Sequence, residues 1–322
     1  MAGEVTTNSL ARGRGVVSLP PAWVPVGSAG YRDFQQNRAY MSGSVLPSSL
    51  DGLVASRASA GFDLDVVTVF ASNQPRRNGA GLLIEPSGSN RLLRSTDLTQ
   101  AWSKSNTLIG ETQDDGTQLV TEGVGSSEVL QTVTGVTAGA AFLFSVVLKR
   151  GNHNWCRIRI DEGGGGEFGN CWVNLATGTV GTVSTSGGGW MVFPGMIPLS
   201  GGRFLFFGGY LPNASTTTRR VRISSAAGDG NLTSVDNATR FQGFHQLEPP
   251  SSLPRSHAVT AGSAVTRAAD VITDSVPAVA SQCTLTYSNG STALLTDLTP
   301  GGSLQLPPNP LRTTLLSMDF RP

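Results

Sequence analysis

The sequence predicts an all-β protein built around an antiparallel β-sandwich, and three observations carry that expectation. Turn formers are abundant, with 40 Gly and 18 Pro in 322 residues, while charged residues make up only 14%. That mix suits many short strands joined by tight turns and disfavours long amphipathic helices. From about residue 94 to residue 250, short apolar runs recur at roughly 10- to 20-residue spacing with Gly-rich turns between them, the rhythm of a sandwich. Finally, Trp155-Cys156-Arg157-Ile158-Arg159-Ile160 and Arg220-Val221-Arg222-Ile223 alternate arginine with apolar residues. A period of two buries one face of a strand and sets an arginine row on the other.

Taken in order, residues 1–28 hold Pro20-Pro21, Pro25 and little apolar periodicity, and read as an extended arm that needs a partner surface to become ordered. Residues 29–275 read as the sandwich body. Its first strand candidates are Val66–Phe70 and Gly81–Glu85, punctuated by Pro75, Asn78-Gly79 and Pro86. Eight more follow at Val129–Val133, Ala141–Leu148, Trp155–Ile160, Cys171–Leu175, Trp190–Met196, Arg203–Tyr210, Arg219–Ser224 and Arg240–Leu247. Residues 276–322 read as a separate small β unit: Cys283–Tyr287, an Asn289-Gly290 turn, Thr292–Leu298, a block at Pro307-Pro308-Asn309-Pro310, and Thr313–Phe320. Asn-Gly between alternating strands is a strong hairpin signal.

Several function classes lose support. Net charge is +1, so bulk electrostatics gives no reason to expect nucleic acid or an anionic membrane as partner. Of the basic residues only Lys104 and Lys149 are lysines, a bias that GC-rich coding explains as well as guanidinium chemistry does. Cys156, Cys171 and Cys283 form an odd set with no CxxC, which fits reduced thiols and neither a disulfide framework nor a zinc site. The first residues lack a signal-peptide pattern, and no apolar run reaches the roughly 18 residues of a membrane span. The sequence gives no sign of a cofactor or metal.

Catalytic patterns are weak. Asp114-Asp115, Asp161-Glu162, Glu167 and Asp229 supply carboxylates, but nothing pairs two of them across a glycosidic bond, and solvated turns are the expectation. Gly164–Gly169 matches GxGxxG, yet no helix follows it. His153, His245 and His257 lie in no nucleophile-elbow sequence. For sugar binding the requirement is aromatic faces beside short polar side chains. Trp155, Trp172 and Trp190, with Asn152, Asn154, Asn170 and Asn174 nearby, have that composition. The same tryptophans suit a sandwich core, and the sequence leaves both readings open.

Three separated stretches resemble a recurrent structural module of tailed-phage fibres and spikes. The first runs from Ser56-Arg57-Ala58-Ser59-Ala60 through Asn73-Gln74-Pro75-Arg76 to Gly81–Pro86 and Asn90–Leu93. The second comprises Leu98–Lys104, Asp115-Gly116-Thr117, Leu130–Val133 and Phe142–Lys149. The third joins Phe241–Glu248, Pro254-Arg255-Ser256 and Ala264–Asp270. The resemblance implies a jelly-roll-like, lectin-like fold, with Arg57, Arg76, Glu85, Gln246, Glu248, Arg267 and Asp270 as its structural motif. Arg57, Arg76 and Arg267 lie beside small residues, which suits guanidinium groups clamping backbone carbonyls where first and last strands meet. Phe244-His245 departs from the family's usual pair and is expected at a rim.

The resemblance further implies a virion location, with the protein made in the host cytoplasm. Residues 1–28 would anchor to other virion proteins, and the chain would assemble as a homotrimer or another cyclic oligomer. The expected role is attachment to a host surface polysaccharide, with Trp155, Trp172, Trp190, Asn154 and Asn170 as candidate contacts and no catalytic residue. The alternatives are a purely architectural tail or capsid component and, less in keeping with the absence of a β-helix repeat, a capsule depolymerase.

Overall fold

The computed structural model describes residues 20–56, 61–63, 68–70, 73–78, 81–164, 166–213, 216–250, 254–308 and 314–322. Arg57 and residues 1–19 of the expected arm lie outside them. The fold is all-β and antiparallel, as the composition and spacing predict.

Its centre is a sandwich of two six-stranded sheets. The strands, numbered in chain order, are β1 (Ser103–Ser105), β2 (Thr107–Thr112), β3 (Gln118–Glu122), β4 (Glu128–Thr134), β5 (Phe142–Arg150), β6 (Trp155–Asp161), β7 (Phe168–Asn174), β8 (Thr179–Ser186), β9 (Trp190–Leu199), β10 (Arg203–Leu211), β11 (Thr218–Ser225) and β12 (Thr239–Glu248). Sheet I has the order β1-β4-β11-β6-β7-β8 and sheet II the order β2-β3-β12-β5-β10-β9. Alternation builds the core between them. Cys156, Ile158 and Ile160 of β6 and Val221 and Ile223 of β11 meet Phe142, Phe144, Val146 and Leu148 of β5 there. Each such side chain contributes about 1.5–3 kcal/mol when fully buried. The three cysteines are free and buried, Cys156 opposite Val173 and Cys171 opposite Ile158, and burial pushes each thiol up to about 12.

The eight strands expected between residues 129 and 247 are all present, with ends shifted by a few residues. Strands β1, β2, β3 and β8 were not expected. In β8, Thr-Val-Gly-Thr-Val-Ser-Thr-Ser carries no sustained apolar face and lies at the edge of sheet I, mostly open to solvent, where polar side chains blunt a free edge.

Around the sandwich the chain folds back on itself. Strands Gly30–Asp33, Arg38–Met41 and Ser44–Leu46 join Gln282–Tyr287, Thr292–Leu295 and Leu315–Arg321 in one eight-stranded sheet, which also takes in Arg76–Asn78 and Gly81–Leu83. Tyr31 pairs with Asp319 across it. Pairing therefore runs across the boundary expected at 275/276, because the strands after that point find their hydrogen-bond partner in residues 30–33. They also share a core with Phe34, Met41, Leu82 and Ile272. A three-stranded sheet of Val54–Ser56, Val271–Ser275 and Ser303–Leu306 lies alongside. Arg32 fastens the two: its Nε and Nη2 each donate to Asp274 at 2.6 Å, and its Nη1 donates to the carbonyls of Ser49 and Asp51. The described part of the arm packs here too, with Val24 buried, the Arg38 guanidinium 4.8 Å from the Trp23 ring centroid, and Ser28 bonded to Asp319.

Between sandwich and surrounding sheets lies a buried charge network. Arg76 donates to Ser256 Oγ at 2.7 Å and to Glu85 Oε2 at 3.0 Å, and is bonded to Asp270. Arg267 reaches Glu85 at 3.2 Å, Asp270 at 3.8 Å and the carbonyl of Pro86 at 2.8 Å. The backbone N–H groups of Glu85 and Ser256 donate to Asp270 and Glu85 respectively. Two guanidinium groups thus face two carboxylates, and backbone donors fill remaining lone pairs. Breaking such a pair is costly because it strands a buried charge. Glu85→Gln is expected to lower unfolding free energy by about 3 kcal/mol, read as a fall in the urea midpoint by circular dichroism.

Phe244 and His245 are buried rather than at a rim. The Phe244 backbone has φ 53°, which turns its ring against Gly116 and edge-on to His257 at 5.4 Å. His245 stacks on Trp102 with centroids 4.5 Å apart. Burial lowers His245 to about 4; burial and the neighbouring His245 lower His257 to about 3. Burial raises Glu248, at the end of β12, to about 7.

Below pH 6.5 the unfolded chain binds protons at both imidazoles that the folded chain refuses, so acidification destabilises. Glu248 acts oppositely between about 7 and 4.5, where the folded chain holds the proton. Two groups outweigh one. Stability is expected to fall by about 1 kcal/mol per pH unit from pH 6.5 to 4.5, measured by urea unfolding, and His257→Asn to flatten the slope.

Candidate functional site

The outer face of sheet I concentrates the chain's polar chemistry. Register builds it: Arg159 of β6 lies between Arg222 of β11 and Asn170 of β7, Arg157 between Ser224 and Trp172, and Asp161 between Arg220 and Phe168. Because the core takes Cys156, Ile158 and Ile160, the alternate residues Trp155, Arg157, Arg159 and Asp161 must point outward.

Asp161 is fully buried under the arginines. It accepts Nε–H bonds from Arg159 at 3.1 Å, Arg220 at 2.9 Å and Arg222 at 2.8 Å. Arg222 Nη1 also donates to Glu128 at 2.8 Å, and the Arg159 guanidinium lies 4.1 Å from the Phe168 ring centroid. Arg157 has no carboxylate partner among the described residues; its Nη1 donates to the carbonyl of Leu232 at 3.4 Å. Burial and then the like charge of Arg159 lower its pKa. The Asp229 carboxylate lies beside the Trp155 ring at Gly181 and accepts the Thr182 N–H at 2.6 Å, so four arginines against Asp161, Glu128 and Asp229 leave one positive charge on this sheet face.

The expected turn role for Asp161 is thus replaced by an organising one. The sequence held the signal, since Asp161 shares the parity of Arg157 and Arg159, but not the strand β11 that brings Arg220 and Arg222 alongside.

The five candidate sugar contacts separate. Asn154 is exposed and Trp155 half-buried. The Trp155 ring crosses toward β8, where a Cβ at Gly181 would come within 2.8 Å of its Cζ3. Trp172 is only 2% exposed and belongs to neither role foreseen for it. It sits on the outer face, outside the sandwich core, roofed by the loop between β11 and β12, with its Nε1–H donating to the Asn231 carbonyl at 2.7 Å. Asn170 is buried and donates to Ser184 Oγ at 3.2 Å. Trp190 opens β9, and its side chain lies outside the described residues. Trp155 and Asn154 therefore remain available, beside an arginine row.

Of the expected structural motif, Arg76, Glu85, Arg267 and Asp270 form the buried network above. Gln246 and Glu248 extend it: Gln246 Nε2 and the Arg255 backbone donate to Glu248 Oε1 at 3.1 and 3.0 Å. The arginines bind carboxylates first, with carbonyls only at Arg267.

Two hollows lie elsewhere. One of about 430 Å³ on sheet II is lined by apolar side chains including Leu143, Val192, Phe193, Leu211 and Pro250. The other, about 670 Å³, runs between Val124–Ser126 and Leu232–Asp236. No group of three or more His, Cys, Asp or Glu among the described residues is arranged to hold a metal, and no described helix is long and apolar enough to cross a membrane.

The site and fold define an antiparallel β-sandwich with one polar, cationic sheet face. No family model matches the chain, and no curated protein matches it. Solved structures that align with part of the chain include the enzymatically active domain of tailspike protein 4 of bacteriophage CBA120, at 9% identity and a TM-score of 0.28 over 49% of this chain and 21% of that one. A candidate sugar-binding protein of Bacteroides thetaiotaomicron aligns at 9% identity and a TM-score of 0.28 over 50% of this chain and 95% of that one. The alignment spans about a fifth of the tailspike chain.

Removing the charge that holds three guanidinium groups together is expected to unsettle sheet I. Asp161→Asn should cost about 3 kcal/mol of unfolding free energy, whereas Asn154→Ala should leave thermal unfolding unchanged.

Proposed function

We propose that this chain is a binding and structural subunit of a phage-like particle, a fibre or spike component that attaches to a bacterial surface polysaccharide through the outer face of sheet I. The observation that carries the reading is the half-buried Trp155 ring on the same sheet face as a row of guanidinium donors. An aromatic plane takes the apolar side of a pyranose, and fixed polar groups beside it satisfy hydroxyls. The buried Asp161 and the strand register hold those groups in place, so little ordering entropy is spent on binding. The virion location, the anchoring role of residues 1–28 and the trimeric or other cyclic assembly belong to this proposal. Repeated copies would turn weak single-site binding into firm attachment.

A second reading, an architectural component that contacts only other particle proteins, has one observation in its favour. Phe193 is 81% exposed with φ 49° at a bulge of edge strand β9, beside the apolar hollow of sheet II, as at a contact with a neighbour. The proposal includes no catalysis.

The test is retention of the full chain on host cells and on their extracted surface polysaccharide. Trp155→Ala is expected to weaken binding about tenfold, equivalent to about 1.4 kcal/mol, with the thermal midpoint preserved. Retention on neither, together with particle images in which sheet I is covered by neighbours, would replace attachment with the architectural reading.

A further inference from the structure

Asp161 does more than neutralise its surroundings; it determines which atoms of the arginines remain free. Arg159, Arg220 and Arg222 all turn Nε toward it. A guanidinium group that donates through Nε directs its terminal nitrogens away along the fork. Of those terminal nitrogens, Arg222 Nη1 donates to Glu128, and the others have no hydrogen-bond partner among the described residues. None of them is a buried atom lacking a bond, and the side chains are 20–21% exposed. The forks of Arg159 and Arg220 therefore open at the surface within one patch, held by a carboxylate with no exposure of its own, while Arg222 is shared between that carboxylate and Glu128. Arg157 on the same strand adds a further cation without a carboxylate.

We infer that this patch is an oxyanion site, and that the saccharide it takes is acidic, bearing a uronate carboxylate or a sulfate ester that receives forked N–H bonds from Arg159 and Arg220. The inference rests on the proposed polysaccharide attachment and specifies its ligand. Bidentate guanidinium–oxyanion bonds are strong and directional because the planar fork matches the spacing of two oxygens. Trp155 lies two positions along β6 from Arg157, so the aromatic plane and the cationic patch belong to one face, which suits a sugar ring carrying an acidic substituent. A phosphodiester backbone offers similar oxygens, but the chain's net charge of +1 supplies no long-range field for a polyanionic helix.

The experiment uses the full chain in affinity electrophoresis through gels containing polygalacturonate, dextran sulfate or neutral dextran, at low and high salt, with duplex DNA as a further probe. The acidic polymers are expected to retard the protein at least tenfold more strongly than neutral dextran, with retardation weakening as salt rises. Arg159→Gln and Arg220→Gln should each lower binding about tenfold. Arg220→Lys, which keeps the charge but loses the fork, should fall close to Arg220→Gln. Arg150→Gln, on an exposed residue of sheet II, serves as the control that leaves binding unchanged. Thermal unfolding of each variant separates lost folding from lost binding.

Equal retardation by neutral and acidic polymers, indifferent to these arginines, would overturn the acidic assignment while leaving glycan attachment standing. Retardation of duplex DNA as strong as that of polygalacturonate would overturn the saccharide assignment. Thermal stabilisation by free glucuronate or sulfate, lost in Arg220→Lys, with no polysaccharide or host cell bound, would uphold the oxyanion site and remove polysaccharide attachment.

Discussion

The pairing of Arg76 and Arg267 with Glu85 and Asp270 is the constraint on which the rest of the architecture depends. These residues come from opposite ends of the sandwich segment, and their network is the place where the chain enters and leaves the two six-stranded sheets. Close by, strand Gly88–Asn90 pairs with Val265–Arg267. The Asn90 amide donates to the carbonyls of His245 and Ala258 at 2.8 and 3.0 Å. Ionic, backbone and amide bonds thus close one loop of chain of some 180 residues, with Arg76 and Ser256 bonded across it. Such buried polar closure is directional, and a sliding apolar contact would not fix register in the same way.

The same device recurs elsewhere with different consequences. Arg32 and Asp274 are fully enclosed, and the Arg32 guanidinium spends its hydrogen bonds on Asp274 and the carbonyls of Ser49 and Asp51, so that pair is a fastening. Asp161 is equally enclosed, but its arginines are not. Burial of the acid with partial exposure of the bases turns a stabilising motif into a presenting one. The distinction between a fastening and a candidate binding surface lies in which partner reaches water.

Much of the fold was legible because the strands of the sandwich announce themselves by alternation. In β6 the sequence alone assigned Cys156, Ile158 and Ile160 to one face and the arginines to the other, as the core confirms. What failed to appear were strands whose neighbours, and not their own side chains, make them strands. Strand β8 is polar along its length, and Gly30–Asp33 owes its place to Leu315–Arg321. At the candidate site, the alternation of β6 gave the outward side of Trp155, while Trp172 needed the Asn231 carbonyl overhead before its place was clear. Asp161 was missed for the same reason, since its role is made by β11, a strand distant in sequence.

The meeting of Gly30–Asp33 with Leu315–Arg321 also has a consequence for biosynthesis. One edge of the early strand is served at once by Arg38–Met41, but the other waits for residues some 280 positions downstream. At roughly 5–20 residues per second, translation leaves that edge without its final partner for about 15 to 60 s. The sandwich, whose strands pair among themselves between residues 103 and 248, has no such delay. Ribosome-bound chains would therefore carry a finished sandwich and an open early strand, and in a crowded polysome the safeguard against neighbouring chains pairing along that edge is its shortness, four residues.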